Sequence, residues 1–101
     1  MTASTKRPTL ASVVEVSPEV ASRELDGEMV LLDLATGTYF GLDHVGARVW
    51  TLIGDRAPLG AVFETLLAEY EVAPAPLERD LLALVGDLCT RGLTRVVAPS
   101  A

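Results

Sequence analysis

Cysteine, histidine and positive charge are all scarce in this chain. With Cys89 as the single cysteine, no internal disulfide can form and no cysteine cluster exists for zinc. On an apolar helical face with no second sulfur, Cys89 reads as a small buried hydrophobe rather than a nucleophile. The one histidine, His44, has no acid or thiol at a recurring ligand spacing, so neither a proton shuttle nor a metal site is indicated. Eight Lys and Arg stand against fourteen Asp and Glu over 101 residues, a net charge of −6. That sign opposes an affinity built on phosphate contacts and opposes anionic membranes, whereas basic or mixed peptides remain compatible partners. No uninterrupted apolar run reaches membrane-spanning length, and none follows Lys6 and Arg7 as a secretory signal requires. The glycines at 37 and 41 lack the spacing and the lysine of a phosphate loop. The expectation is a cytoplasmic chain without cofactor, metal or enzymatic activity of its own, whose function resides in its surfaces.

Half of the residues are hydrophobic, enough for the core of one small domain. Residues 1–16 read as a flexible N-terminal arm, rich in Thr, Ser, Ala and Pro at first, with Val13, Val14 and Val16 as an extended lead-in. Residues 17–98 form the domain. A first strand is expected at Val20–Leu25, and Asp26-Gly27 supplies a two-residue turn in which Gly tolerates positive φ. Glu28–Leu34 returns as a second strand, Thr36-Gly37 reverses the chain, and Thr38–Leu42 is the third. The product is an antiparallel meander with the third strand on an outer edge. That strand carries no lysine or proline to block it, and Gly41 reads as a bulge or a point of close backbone approach. The alternative is that the N-terminal arm covers the edge through Val13–Val16.

Asp43 is placed to cap a first helix, along which Val45, Val49, Leu52 and Ile53 share a stripe, with Gly54 ending it in a left-handed conformation. Pro58 suits the first turn of a second helix, where Leu59, Val62, Phe63, Leu66, Leu67 and Tyr70 recur at three- and four-residue spacing. Ala73-Pro74-Ala75-Pro76 interrupts. A third helix is expected from Leu77 to Arg91, stopping at Gly92, with a short strand or wing at Leu93–Val97. Leu77, Leu81, Leu82, Leu84, Val85, Leu88 and Cys89 spread over an arc of about 160° on that helix, wider than the roughly 100° stripe of an ordinary surface helix. Part of this face is therefore available to line a groove, unless helix three is simply the central core helix.

Strands, three helices and a wing suggest a winged helix-turn-helix domain of the α+β class, which raises a transcription regulator as one reading. The charges oppose it: the third helix carries Glu78, Asp80 and Asp87 against Arg79 and Arg91, and carboxylates do not read guanine or phosphate in a groove.

Leu31-Leu32-Asp33-Leu34, then Thr36-Gly37-Thr38-Tyr39-Phe40-Gly41-Leu42-Asp43, then Gly46-Ala47-Arg48-Val49-Trp50 resemble the PqqD-like proteins. Val62-Phe63, Leu66, Tyr70-Glu71-Val72, Asp80-Leu81, Leu84-Val85, Leu88 and Arg91-Gly92-Leu93 continue the likeness in order, so that it spans about Val20 to Val97. Each motif is short and apolar; the specificity lies in order and spacing. Asp at position 43, where Asn is expected as often, is a departure that still caps a helix. The resemblance implies three antiparallel strands followed by three helices in a winged helix-turn-helix fold. It also implies a non-catalytic adaptor that binds the leader of a ribosomal precursor peptide as an added strand along strand three, against the third helix. The implied peptide-binding residues are Thr38, Tyr39, Phe40, Gly41, Leu42, Asp80, Leu81, Leu84, Val85, Asp87 and Leu88. The implied partner enzyme is a separate leader peptidase of a lasso-peptide pathway. The alternative is a radical SAM enzyme of pyrroloquinoline quinone biosynthesis. Homodimerisation through strand three is a further expectation.

Overall fold

A computed structural model of the protein describes residues 8–99. Eight elements follow in order: β1 (Ser12–Val16), β2 (Val20–Leu25), β3 (Glu28–Asp33), β4 (Thr38–Leu42), α1 (His44–Gly54), α2 (Leu59–Glu69), α3 (Pro74–Thr90) and β5 (Thr94–Pro99). β2, β3 and β4 form an antiparallel meander in that order, while β1 and β5 make a separate two-stranded sheet. The fold is thus the expected α+β winged helix-turn-helix, three strands followed by three helices, with a terminal strand pair added.

The meander is set by its turns. Asp26 at φ 54° and Gly27 at φ 84° are the paired left-handed residues of a tight hairpin turn whose twist matches the flanking strands. A Cβ on Gly27 would lie 2.6 Å from Cδ2 of His44, so the histidine ring closes over this turn. Across β3 and β4 the register runs unbroken from Met29 opposite Leu42 to Asp33 opposite Thr38. Gly41 therefore makes no bulge, and an added Cβ there would meet nothing within 4 Å; neither reading of this glycine holds.

Helix boundaries follow local chemistry. Asp43 Oδ1 accepts the Gly46 N–H at 2.8 Å, satisfying one of the orphan donors of the first turn. α1 ends at Gly54 as expected, but this glycine keeps a helical backbone; the left-handed residue beyond the helix is Arg56, at φ 62°. α3 starts three residues before the expected Leu77, because Pro74 at the first helical position surrenders an N–H that has no partner there in any helix. Its other end is a Schellman closure: Leu93 N–H reaches Leu88 C=O and Gly92 N–H reaches Cys89 C=O, with Gly92 at φ 77°.

The N-terminal boundary needs the largest correction. The first seven residues of the expected arm lie outside the described residues, but its last five are β1, paired antiparallel with β5. Val14 is fully buried among Val49, Ile53, Leu59 and Leu66 of the main core, so the valines of this segment anchor the domain rather than lead into it. Bonded to β5, β1 does not cover β4. A second cluster, Met29, Leu31, Leu42, Ala47, Trp50, Leu88 and Leu93, joins the inner face of the meander to α1 and α3.

A cleft beside an open sheet edge

β4 has one hydrogen-bonded neighbour, β3, and its other edge is free among the described residues. Beside it lies a cleft of about 620 Å³, walled on one side by Phe40, Gly41 and Leu42 and on the other by Asp80, Leu81 and Leu84 of α3. The positions on β4 and those on α3 are about forty residues apart in sequence. They meet because Asp43 caps α1 directly after β4, and α1 carries the chain over the meander so that α3 returns alongside. Gly46 permits the tight junction: a Cβ there would stand 3.2 Å from two carbons of Leu42.

Six of the eleven expected residues thus share the cleft: Phe40, Gly41, Leu42, Asp80, Leu81 and Leu84. Thr38 opens instead onto a smaller hollow of about 220 Å³ shared with Arg91 and Leu93, which Phe40 also lines. Tyr39 is 70% exposed and, by strand alternation, points to the opposite face of the sheet. Val85 and Leu88 are fully buried and belong to the core beneath the cleft, which corrects their expected place in the binding surface. Their burial is the consequence of the broad apolar arc on α3, whose centre packs inward while one margin, Leu84, is left half-buried at the cleft. Asp87 lies off the cleft and pairs with Arg91 one turn on, at 3.2 Å. Asp80 stands at the rim, 3.6 Å from Arg79, in a pair too exposed to hold it.

Val45, Val72 and Pro76 also line the cleft and were not singled out as binding residues. Val45 shares a stripe with Val49, Leu52 and Ile53 on the first helix, yet it is 39% exposed, and Val72 is 48% exposed. An apolar residue in a helix-to-helix connection beside Pro was the available signal for Val72. For Val45 there was none, since its spacing fits the core stripe equally well.

The walls are held by polar contacts outside the cleft. Arg48 on α1 donates to both carboxylate oxygens of Glu69 at the end of α2, at 2.9 and 2.6 Å. Those hydrogen bonds hold the Glu69 carboxyl below its ordinary pKa and fix the point from which the chain turns toward Val72. The Arg91 guanidinium lies 4.8 Å over the Phe40 ring, between the cleft and the smaller hollow. No group of three His, Cys, Asp or Glu is placed to hold a metal among the described residues. Nor is any described helix long and apolar enough to cross a membrane.

An open strand edge flanked by an apolar cleft, on a winged helix-turn-helix scaffold, defines a peptide-binding domain. The sequence profile of Coenzyme PQQ synthesis protein D (PqqD) matches residues 28–93, and the chain belongs to the PqqD family, whose members are non-catalytic peptide-binding domains. Two solved structures are similar to it. TbiB1, in complex with the TbiA(beta) leader peptide, is 39% identical, with a TM-score of 0.78 over 83% of this chain and 98% of that one. A lasso peptide synthetase B1 complexed with its leader peptide is 33% identical, with a TM-score of 0.74 over 80% of this chain and 95% of that one. No curated protein is significantly similar to the chain.

Proposed function

We propose that this protein binds the leader segment of a ribosomal precursor peptide of the lasso type and presents it to a separate leader peptidase. The observation that carries the reading is the free edge of β4 lying beside the apolar cleft of α3. A peptide added to that edge gains main-chain hydrogen bonds along Thr38–Leu42 and drops alternate side chains toward Leu81, Leu84 and Val72. The opposite row of side chains lies beside Tyr39. Asp80 at the rim favours a basic leader residue near the Leu42 end. The lasso pathway is preferred over pyrroloquinoline quinone biosynthesis because both similar structures hold leader peptides and one is a lasso peptide synthetase B1.

The test is calorimetric titration of the protein with the leader half of the precursor peptide encoded beside its gene. Saturable binding that survives high salt, as apolar burial does, supports the reading; absence of binding at high micromolar concentration overturns it.

A further inference from the structure

The smaller hollow, at the Thr38 end of β4, lies on the same side of the sheet as the cleft. Asp33 and Thr38 stand opposite one another in the ladder, as Leu31 and Phe40 do two pairs further on. Leu31 is fully buried, so strand alternation puts all four side chains on the inner face. The hollow is lined by Asp33, Thr36, Thr38, Phe40, Arg91 and Leu93. Phe40 also lines the cleft, so its ring stands between the two spaces. A strand added along β4 passes both. Its inward side chains beside Leu42 and beside Thr38 are four residues apart, about 13 Å along an extended chain.

The cleft is apolar, but this hollow has polar walls. Arg91 gives its Nε–H to the two Asp87 carboxylate oxygens, at 3.3 and 3.2 Å, and its terminal nitrogens have no acceptor among the described residues. Asp33 accepts the Ala35 N–H on Oδ1 at 3.0 Å; no described group donates to its second oxygen. Thr36 donates its hydroxyl to Thr38 Oγ1 at 3.0 Å, which leaves the Thr38 O–H proton free. Donors and an acceptor thus surround a floor made by Leu93 and the Phe40 ring. A carboxylate entering here would meet Asp33, with Asp87 already on the guanidinium, and an ammonium would meet Arg91. An alkyl chain would strip water from these groups and replace none of its hydrogen bonds. A carboxamide is neutral and carries an acceptor oxygen and two N–H donors in one plane, the combination that the walls complement. A Ser or Thr hydroxyl stays too near its own backbone to fill the space.

We infer that this hollow is a second side-chain subsite for the leader, taking an asparagine or glutamine four residues from the side chain that enters the cleft beside Leu42. The inference rests on the strand addition proposed above and adds to it a spacing and a chemical class. Burial in the cleft supplies affinity, and the hollow fixes the register. A leader slipped by one residue turns its carboxamide to the outer face of the sheet, and one slipped by two sets it against Phe40.

The experiment is calorimetric titration of the full chain with the leader half of the precursor peptide encoded beside its gene, in a series that differs only at the residue facing Thr38. A nitroxide carried at successive leader positions identifies that residue, as the one whose label most broadens the Thr36 and Thr38 amide resonances. With Gln, Asn, Glu, Asp, Lys or Leu there, the better carboxamide peptide should bind about five- to tenfold tighter than every charged or apolar one, as one or two hydrogen bonds in a partly open site allow. Asp33→Asn keeps Oδ1 for the Ala35 N–H and replaces the second oxygen with a donor, so this variant should prefer the carboxylate of matching length. Equal affinities across the native series, a series led by a charged or apolar residue, or labels that never broaden Thr36 and Thr38 each overturn the subsite while leaving leader binding intact. An Asp33→Asn chain that folds and still prefers the carboxamide overturns it as well. Absence of binding by every peptide in the series overturns the proposed function itself.

Discussion

Leu84 and Leu88 lie one helical turn apart on the same apolar arc, and their different burial gives them different tasks. Leu84 is half-buried at the cleft, whereas Leu88 is closed off entirely beneath Trp50 and Leu93. Leu84→Asp and Val72→Asp should each weaken leader binding by about 1 kcal/mol or more, through lost apolar contact and a desolvated carboxylate. The urea midpoint of Val72→Asp should move little, whereas Leu84→Asp should lower it as well, because Leu84 also packs against both core clusters. Leu88→Ala should instead cost about 2–5 kcal/mol of stability by opening a cavity, read by urea denaturation. Gly92→Ala belongs with it: a left-handed residue with a Cβ costs roughly 1 kcal/mol or more, which the same denaturation series detects. The sequence made the arc on α3 visible but not its depth. Periodicity reports which residues share a face, and only the packing of α1 and the wing decides which part of that face stays open. Val45 shares its stripe with the buried Val49 and Ile53 and yet faces the cleft for the same reason. Gly54 was likewise placed in the left-handed position that Arg56 occupies, since helix ends are decided by packing as much as by residue type.

Among the elements, β4 was the most legible. Its limits, its turn and its capping Asp43 follow from local chemistry alone, and its position on an outer edge follows from the tight turns of a meander. What local chemistry could not show was its neighbour. Whether β1 lay beside β4 or elsewhere depends on β5, about eighty residues away, and long-range strand pairing leaves no local signal. The pairing of β1 with β5 frees β4 and also fixes Glu15 against Arg95, at 2.7 Å, and against Arg56, at 3.5 Å. An added strand should depend on main-chain hydrogen bonds at alternate positions only. Single N-methylation along the leader should therefore give an alternating pattern, with strong loss of affinity at every second residue and small effects between. A uniform loss along the leader would argue for side-chain recognition without strand addition.

For the molecule as a whole, the ion pairs set an acid limit. Glu15 is held below its ordinary pKa by its hydrogen bonds from Arg95, and Glu69 by those from Arg48. A carboxylate with a depressed folded-state pKa contributes stability that is present above its unfolded value and is lost as pH falls through the folded one. The melting temperature should accordingly be flat near neutrality and decline below about pH 5. Glu69→Gln should flatten that decline, as thermal scans across pH would show. Net charge acts at the same scale: the chain should not retard duplex DNA even at low salt, since a charge of −6 repels a polyanion most when unscreened. The central claim is that the free edge of β4 is the site where a leader peptide adds as a strand. Amide hydrogen exchange of Thr38–Leu42, with and without saturating leader, tests it most directly. Alternate amides of this strand should become protected on binding while those of β2 are unchanged; exchange along β4 that is indifferent to a bound leader would contradict it.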